Sequence, residues 1–346
     1  TTIPRLYTNI LFRRIGNAAN AQEANEVRLR LAQYYLSAGM APEALAYLEG
    51  INRTNPSYFR SAKLAALRGA ANFLMHRFID ASRDFSSSEL NNNKELDSWR
   101  SMLADLLGNP GQHYSFRELD ADYFSKYPPK LRQRLAIVAA DRAIADKQYN
   151  AALKIFDSLH EDKQIDAIST YINFLLAKVS SDTGQEKEAL EMWDKLAQDY
   201  KQPFVRANAE FARIIWGMDH GTLTKTDGSD RLERLRLSWH GDSLELQVLT
   251  LLGEIYSEKK DYINAMRTWH GAIQSFPNTA AAITMSRKMQ EAFIGMFNEG
   301  RSDELPPLEA LALYYEYRNY TPAGKTGDEM MERLADRLIS VDLLEQ

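Results

Sequence analysis

Histidine is the side chain best suited to move a proton or hold a metal near neutral pH, and this chain has six: His76, His113, His160, His220, His240 and His270. None stands in His-x-x-x-His or His-Glu-x-x-His spacing, which would set two imidazoles on one helix face, so no metal centre is expected. Trp239-His240-Gly241 and Trp269-His270-Gly271 repeat a tripeptide, and Trp269 falls on a packing stripe. Gly324-Lys325-Thr326 carries the end of a phosphate cradle, but such a loop needs a preceding strand and a glycine where Asn319 stands. A plain turn is expected there. Cysteine is absent, which removes thiol nucleophiles, disulfides, Cys-zinc sites and iron–sulfur clusters. Acidic residues are abundant, yet none forms an isolated pair in an apolar setting, so they read as solvated helix faces.

Gly241-Asp242-Ser243-Leu244 is similar to the motif of the GDSL hydrolases. That resemblance implies a nucleophilic serine after a buried strand near the N-terminus, with an Asp-x-x-His further on. Here the one Asp-x-x-His, Asp157 to His160, precedes the serine, and Ser243 opens a helical pattern. Helix capping by Asp242 is the expected role. Bacterial lytic transglycosylases also contain long α-superhelical regions, and their catalytic domain depends on a Glu-Ser pair. This chain has no Glu-Ser dipeptide, so it would supply only the superhelical scaffold of such an enzyme. No catalytic constellation and no cofactor are expected.

The elements that would position any site follow from composition and period. The chain has 346 residues, 45% hydrophobic and 26% charged, with a net charge of −5. That fits a folded protein and disfavours general binding to nucleic acid or anionic membrane. No apolar run reaches the length that spans a bilayer. A small residue is followed twelve positions later by Ala and four later by a bulky apolar residue. The copies are Ala32/Ala44/Leu48, Gly69/Ala81/Phe85, Ala140/Ala152/Phe156, Ala177/Ala189/Trp193 and Gly253/Ala265/Trp269. Allowing two degenerate units, the interval averages about 37 residues, which reads as a solenoid of helix pairs. Small residues let paired helices approach; bulky ones fill the space to the next pair.

The pattern resembles the tetratricopeptide repeat. The copy at 246–279 matches at Leu249, Leu252, Gly253, Tyr256, Tyr262, Ala265, Trp269, Ala272 and Pro277, and that at 25–58 at Leu31, Ala32, Tyr35, Ala44, Leu48 and Pro56. The resemblance implies an all-α fold, a right-handed α-α superhelix of about seven helical hairpins plus C-terminal helices. An N-terminal segment or helix covers 1–24, and the solenoid covers 25–280. Its clear units are 25–58, 62–95, 133–166, 170–203 and 246–279, and its degenerate units are 96–131 and 204–240. In the first degenerate unit Gly108-Asn109-Pro110-Gly111 is a turn before a helical stretch from Phe116 to Tyr127. In the second, a loop from Asp219 to Asp230 precedes a helix from Arg231. Three helices, near 280–299, 306–320 and 328–344, form a divergent repeat or cap over 281–346.

The same resemblance implies that the first helix of each pair lines a concave groove. By register, Lys63, Phe73, Arg134, Asp141, Tyr171, Lys178, Gln247 and Glu254 face it. This mixed surface suits an extended peptide or partner helix. Chaperone-binding arrays carry Lys at position 5 and Asn at position 9; here position 5 holds Leu29, Ala66, Ile137, Phe174 and Thr250, and position 9 has no Asn. The expected function is a non-catalytic protein–protein interaction scaffold in a larger assembly of cell envelope, motility or secretion. The alternative is the scaffold region of a larger enzyme such as a transglycosylase or glycosyltransferase. The chain is similar in style to long tetratricopeptide envelope proteins of alphaproteobacteria. Absence of cysteine is compatible with a periplasm, with the cytoplasm as alternative. Leu311, Leu313, Tyr314, Tyr315, Tyr317 and Tyr320 are candidates for homo-oligomer contacts. The start at Thr1-Thr2-Ile3-Pro4 and the helix still running near Gln346 suggest flanking sequence on both sides.

Overall fold

The computed structural model describes residues 2–75, 77–93, 95–107, 125–159, 166–240, 243–277 and 279–340. The expected turn at Gly108 to Gly111, most of the stretch from Phe116 to Tyr127, His76, His113, His160, Gly241 and Asp242 lie outside them. Among the described residues the chain is 82% helix with no strand, in 18 helices. They are α1 Thr2–Gly16, α2 Ala21–Ser37, α3 Ala41–Thr54, the single-turn α4 Pro56–Phe59, α5 Ala62–Leu74, α6 Phe78–Phe85, α7 Glu95–Leu106, α8 Pro129–Ala145 and α9 Tyr149–Ser158. There follow α10 Asp166–Asp182, α11 Glu186–Ala197, α12 Pro203–Asp219, α13 Lys225–Ser238, α14 Ser243–Glu258, α15 Tyr262–Ser275, α16 Ala280–Asn298, α17 Pro307–Tyr317 and α18 Lys325–Ser340. The chain divides into two compact units, residues 1–213 and 214–346.

Helices pack consecutively in neighbouring pairs. In the first unit α2 lies on α3, α5 on α6, α8 on α9 and α10 on α11; in the second α14 lies on α15, which also meets α16. The small-residue period explains the closeness of these pairs. A Cβ built on Gly69 would fall 2.5 Å from Cε1 of Phe85, so the ring lies flat against the α5 backbone. Gly253 receives the indole of Trp269 in the same way. Ala81 and Ala265, one turn before these rings, are fully buried. Where the small residue is Ala, as at Ala32, Ala140 and Ala177, it too is buried at the crossing.

The turn inside each pair repeats as well. The N–H of Met40, Arg77, Gln148, Gln185 and Asp261 donates to the carbonyl five residues back, at Tyr35, Asn72, Ala143, Ser180 and Tyr256, over 2.7–2.9 Å. In four of the five this six-to-one bond closes the helix C-terminus around a described left-handed residue. The left-handed position holds Gly39 (φ 72°), Lys147 (φ 59°), Gly184 (φ 85°) and Lys260 (φ 61°). Two residues later the next helix starts, and the buried alanines at 44, 152, 189 and 265 each stand on its first turn or just beyond.

The second unit departs from expectation at its start. α13 begins at Lys225, not Arg231, because Thr224 Oγ1 accepts from the Asp227 N–H at 3.1 Å as an N-cap. Gly228, which reads as a loop residue, is helical; the Met218 thioether occupies the place of its missing side chain. Three helices follow residue 280. Trp269, Met285, Met289, Phe293, Phe297 and Tyr317 join in one core there. Of the residues marked for self-association, Leu311 and Tyr317 are buried and Tyr314 stacks on Phe293 at 5.9 Å, while Tyr315 is exposed. Much of that apolar set is therefore internal packing.

Candidate functional site

α8 and α10 lie side by side, and three of the register-marked residues meet between them. Lys178 Nζ donates to Asp141 Oδ1 at 2.8 Å, and the Tyr171 hydroxyl donates to Asp141 Oδ2 at 3.4 Å. Tyr171 stacks on Phe174, one turn on along α10, with centroids 5.6 Å apart. Phe204 of α12 closes on Tyr171 at 5.2 Å. The Lys178 ammonium stands 6.0 Å from the Phe174 centroid, within reach of its π face. Lys178 and Asp141 each keep about a third of their side-chain surface, 33% and 34%. The result is a half-open shelf: an ion pair bordered by stacked rings.

Helix spacing explains the ion pair. Asp141 and Lys178 occupy the same register position in successive pairs, so their side chains meet where the two first helices run together. Glu254 of α14 is likewise held by Lys288 of α16. Charges expected to face a partner therefore also tie consecutive first helices together. As pairs about one-third exposed, each contributes on the order of 0.5 kcal/mol to stability.

The remaining register-marked residues do not join the shelf. Lys63 and Gln247 are exposed, and the Gln247 amide donates to the Ser243 carbonyl of its own helix at 3.2 Å. Phe73 is 1% exposed, edge-on to Phe78 at 5.7 Å and Trp99 at 5.2 Å. It is core, a correction to its expected groove position: Trp99 of α7 fills the space above it. Arg134 is drawn against the α2–α3 turn, and a Cβ at Gly39 would lie 3.2 Å from its Nε. Burial lowers the Arg134 pKa. Conversely, Phe174 and Phe204 belong to the shelf although Tyr171 was the only aromatic side chain marked there; an aromatic three residues after another on one helix is the signal that finds Phe174.

The motifs with chemical promise take structural places. Ser243 is the first residue of α14 and Asp157 lies on α9, while Gly241, Asp242 and His160 are outside the described residues. Gly324 has φ 80° and leads directly into α18, with Lys325 90% exposed and 3.4 Å from Glu329. His220 stacks on Trp216 at 4.2 Å and contacts its carbonyl through Nδ1 at 2.9 Å. His240 Nδ1 lies 3.2 Å from Glu245, and His270 packs edge-on to Tyr317 at 5.6 Å. Among the described residues no cluster of three His or acidic side chains is arranged to hold a metal ion. Nor is any helix there long and apolar enough to cross a membrane.

The shelf thus sits on paired, consecutively packed helices. No protein-family model matches the chain, and a comparison with curated proteins finds no relative.

Proposed function

We propose that this chain is a non-catalytic scaffold of the tetratricopeptide type, its hairpins stacked into a right-handed superhelix that holds a protein or peptide partner along the first helices. The single observation that carries this reading is the shelf of Asp141, Tyr171, Phe174, Lys178 and Phe204. It offers stacked rings to an apolar side chain beside a bridged pair of opposite charges, a combination suited to an extended peptide or an amphipathic helix. The repeated small-residue crossings and the repeated left-handed turn support the tetratricopeptide assignment. A cysteine-free chain is compatible with a periplasm, and the cytoplasm is the alternative.

The test is site-specific photo-crosslinking in the native host. A photoreactive residue in place of Tyr171 is expected to capture a discrete protein partner. The same group in place of Lys154, exposed on the second helix α9, is expected to capture none. Equal capture from both positions, or from neither, would remove the groove reading.

A further inference from the structure

Two helices carry exposed apolar stripes beside their buried faces, and the charged side chains along the two stripes are of opposite sign. On α1, Thr8 and Leu11 are buried, with Leu11 in a core with Val27 and Leu31 of α2. Its outer face presents Leu6 (62% exposed) and Ile10 (50%) one turn apart. Arg13 and Arg14 follow on the next turn, and the sequence holds no acidic residue before Glu23. Tyr7 and Phe12 lean inward on Tyr34 and Tyr47, so Leu6 and Ile10 stand out between them.

On α18 the inner face is Met330, Leu334 and Leu338, all in the core of the second unit. Met331 (47% exposed), Ala335 and Ile339 (58%) form an outward stripe with four-residue spacing. Asp328, Glu332 and Asp336 are exposed along that stripe. Arg333 is turned away from it, donating to the Asn298 carbonyl at 2.6 Å. Both stripes have the spacing by which packed helices interdigitate.

We infer that the Leu6/Ile10 face of α1 in one molecule docks on the Met331/Ala335/Ile339 face of α18 in a second copy of this chain, with Arg13 and Arg14 against Glu332 and Asp336. Such an interface joins two different surfaces, so it is heterologous and propagates head-to-tail into rings or filaments rather than stopping at a symmetric dimer. Apolar stripes supply contact area, and opposite charge sets partner and register.

Sedimentation velocity of the whole chain over a wide concentration range tests this. Wild type is expected to form a ladder of species beyond the dimer, weakened by salt. Two variants, Arg13→Glu with Arg14→Glu and Glu332→Lys with Asp336→Lys, should each associate about ten-fold more weakly or worse. All four positions are exposed, so unchanged thermal unfolding verifies that the variants fold. An equimolar mixture of the two variants should associate again, because each reversed face meets its reversed complement. A monomeric wild type, or a mixture that stays apart, overturns the assignment. So does co-pelleting of a monomeric chain with phosphatidylglycerol vesicles that Leu6→Ser and Ile10→Ser abolish; the α1 face would then belong to lipid.

Discussion

The indole of Trp269 fills the space in which a side chain on Gly253 would have to stand, with Nε1 well inside van der Waals range of that point. Gly253→Ala therefore sets two effects against each other. Alanine gains about 1 kcal/mol of helix propensity, and overpacking a rigid buried ring costs about 1–3 kcal/mol. Urea unfolding should show a net loss of stability. Gly271→Ala, on the neighbouring helix with nothing within 4 Å of the new carbon, should instead gain about 0.5–1 kcal/mol. The opposite signs within one hairpin separate steric closeness from helix propensity.

Lys147 holds a left-handed backbone that a Cβ disfavours. Lys147→Gly should raise the unfolding free energy by about 1 kcal/mol, since the turn is kept and its strain relieved. A lower thermal midpoint than wild type would show that the turn is not limiting.

Asp84 is buried on α6 and accepts three hydrogen bonds, from Arg68 Nε at 2.8 Å, Arg68 Nη2 at 2.5 Å and Asn72 Nδ2 at 3.0 Å. Arg68 also lies 4.3 Å above the Phe59 ring and donates to its carbonyl at 3.2 Å. Asp84→Ala strands a mostly buried guanidinium and should cost about 3 kcal/mol. The double change Arg68→Met with Asp84→Ala should recover part of it, which a double-mutant cycle by chemical denaturation will read.

Tyr256 titrates late. Burial, then its 2.8 Å hydrogen bond to Glu233 Oε1, push its pKa from 10.0 to about 12. The folded state thus keeps this proton more tightly than the unfolded state. Its contribution is complete below pH 10.0 and is lost as pH rises towards about 12. In an alkaline titration followed by tyrosinate absorbance, Tyr256→Phe should remove amplitude from the late phase. It should also lower stability by about 1 kcal/mol at neutral pH.

Much of the fold was legible in particular residues. Gly69 and Phe85, or Gly253 and Trp269, stand sixteen apart because one closes on the other across a hairpin, and that spacing is visible in the letters. The all-helical class followed from it. The start of α13 was not legible, because Gly228 reads as a breaker unless Met218 is known to cover it. The site was read less well. Register placed Asp141, Tyr171 and Lys178 on one face, and they do meet; the one-period separation of Asp141 and Lys178 was itself a sign of pairing. Phe73 and Arg134 obeyed the same register and were claimed by Trp99 and by the Gly39 turn. Neither neighbour belongs to the same repeat unit, so no rule of local spacing announces them.

The turn shared by five hairpins has a bearing on how the chain comes into being. Its closing bond links residues five apart, and the helix it launches returns onto the one just finished. A hairpin can thus complete itself as soon as its second helix has left the ribosome, without waiting for distant sequence. Synthesis and folding can advance together, hairpin by hairpin, each new pair covering the apolar face left by the one before.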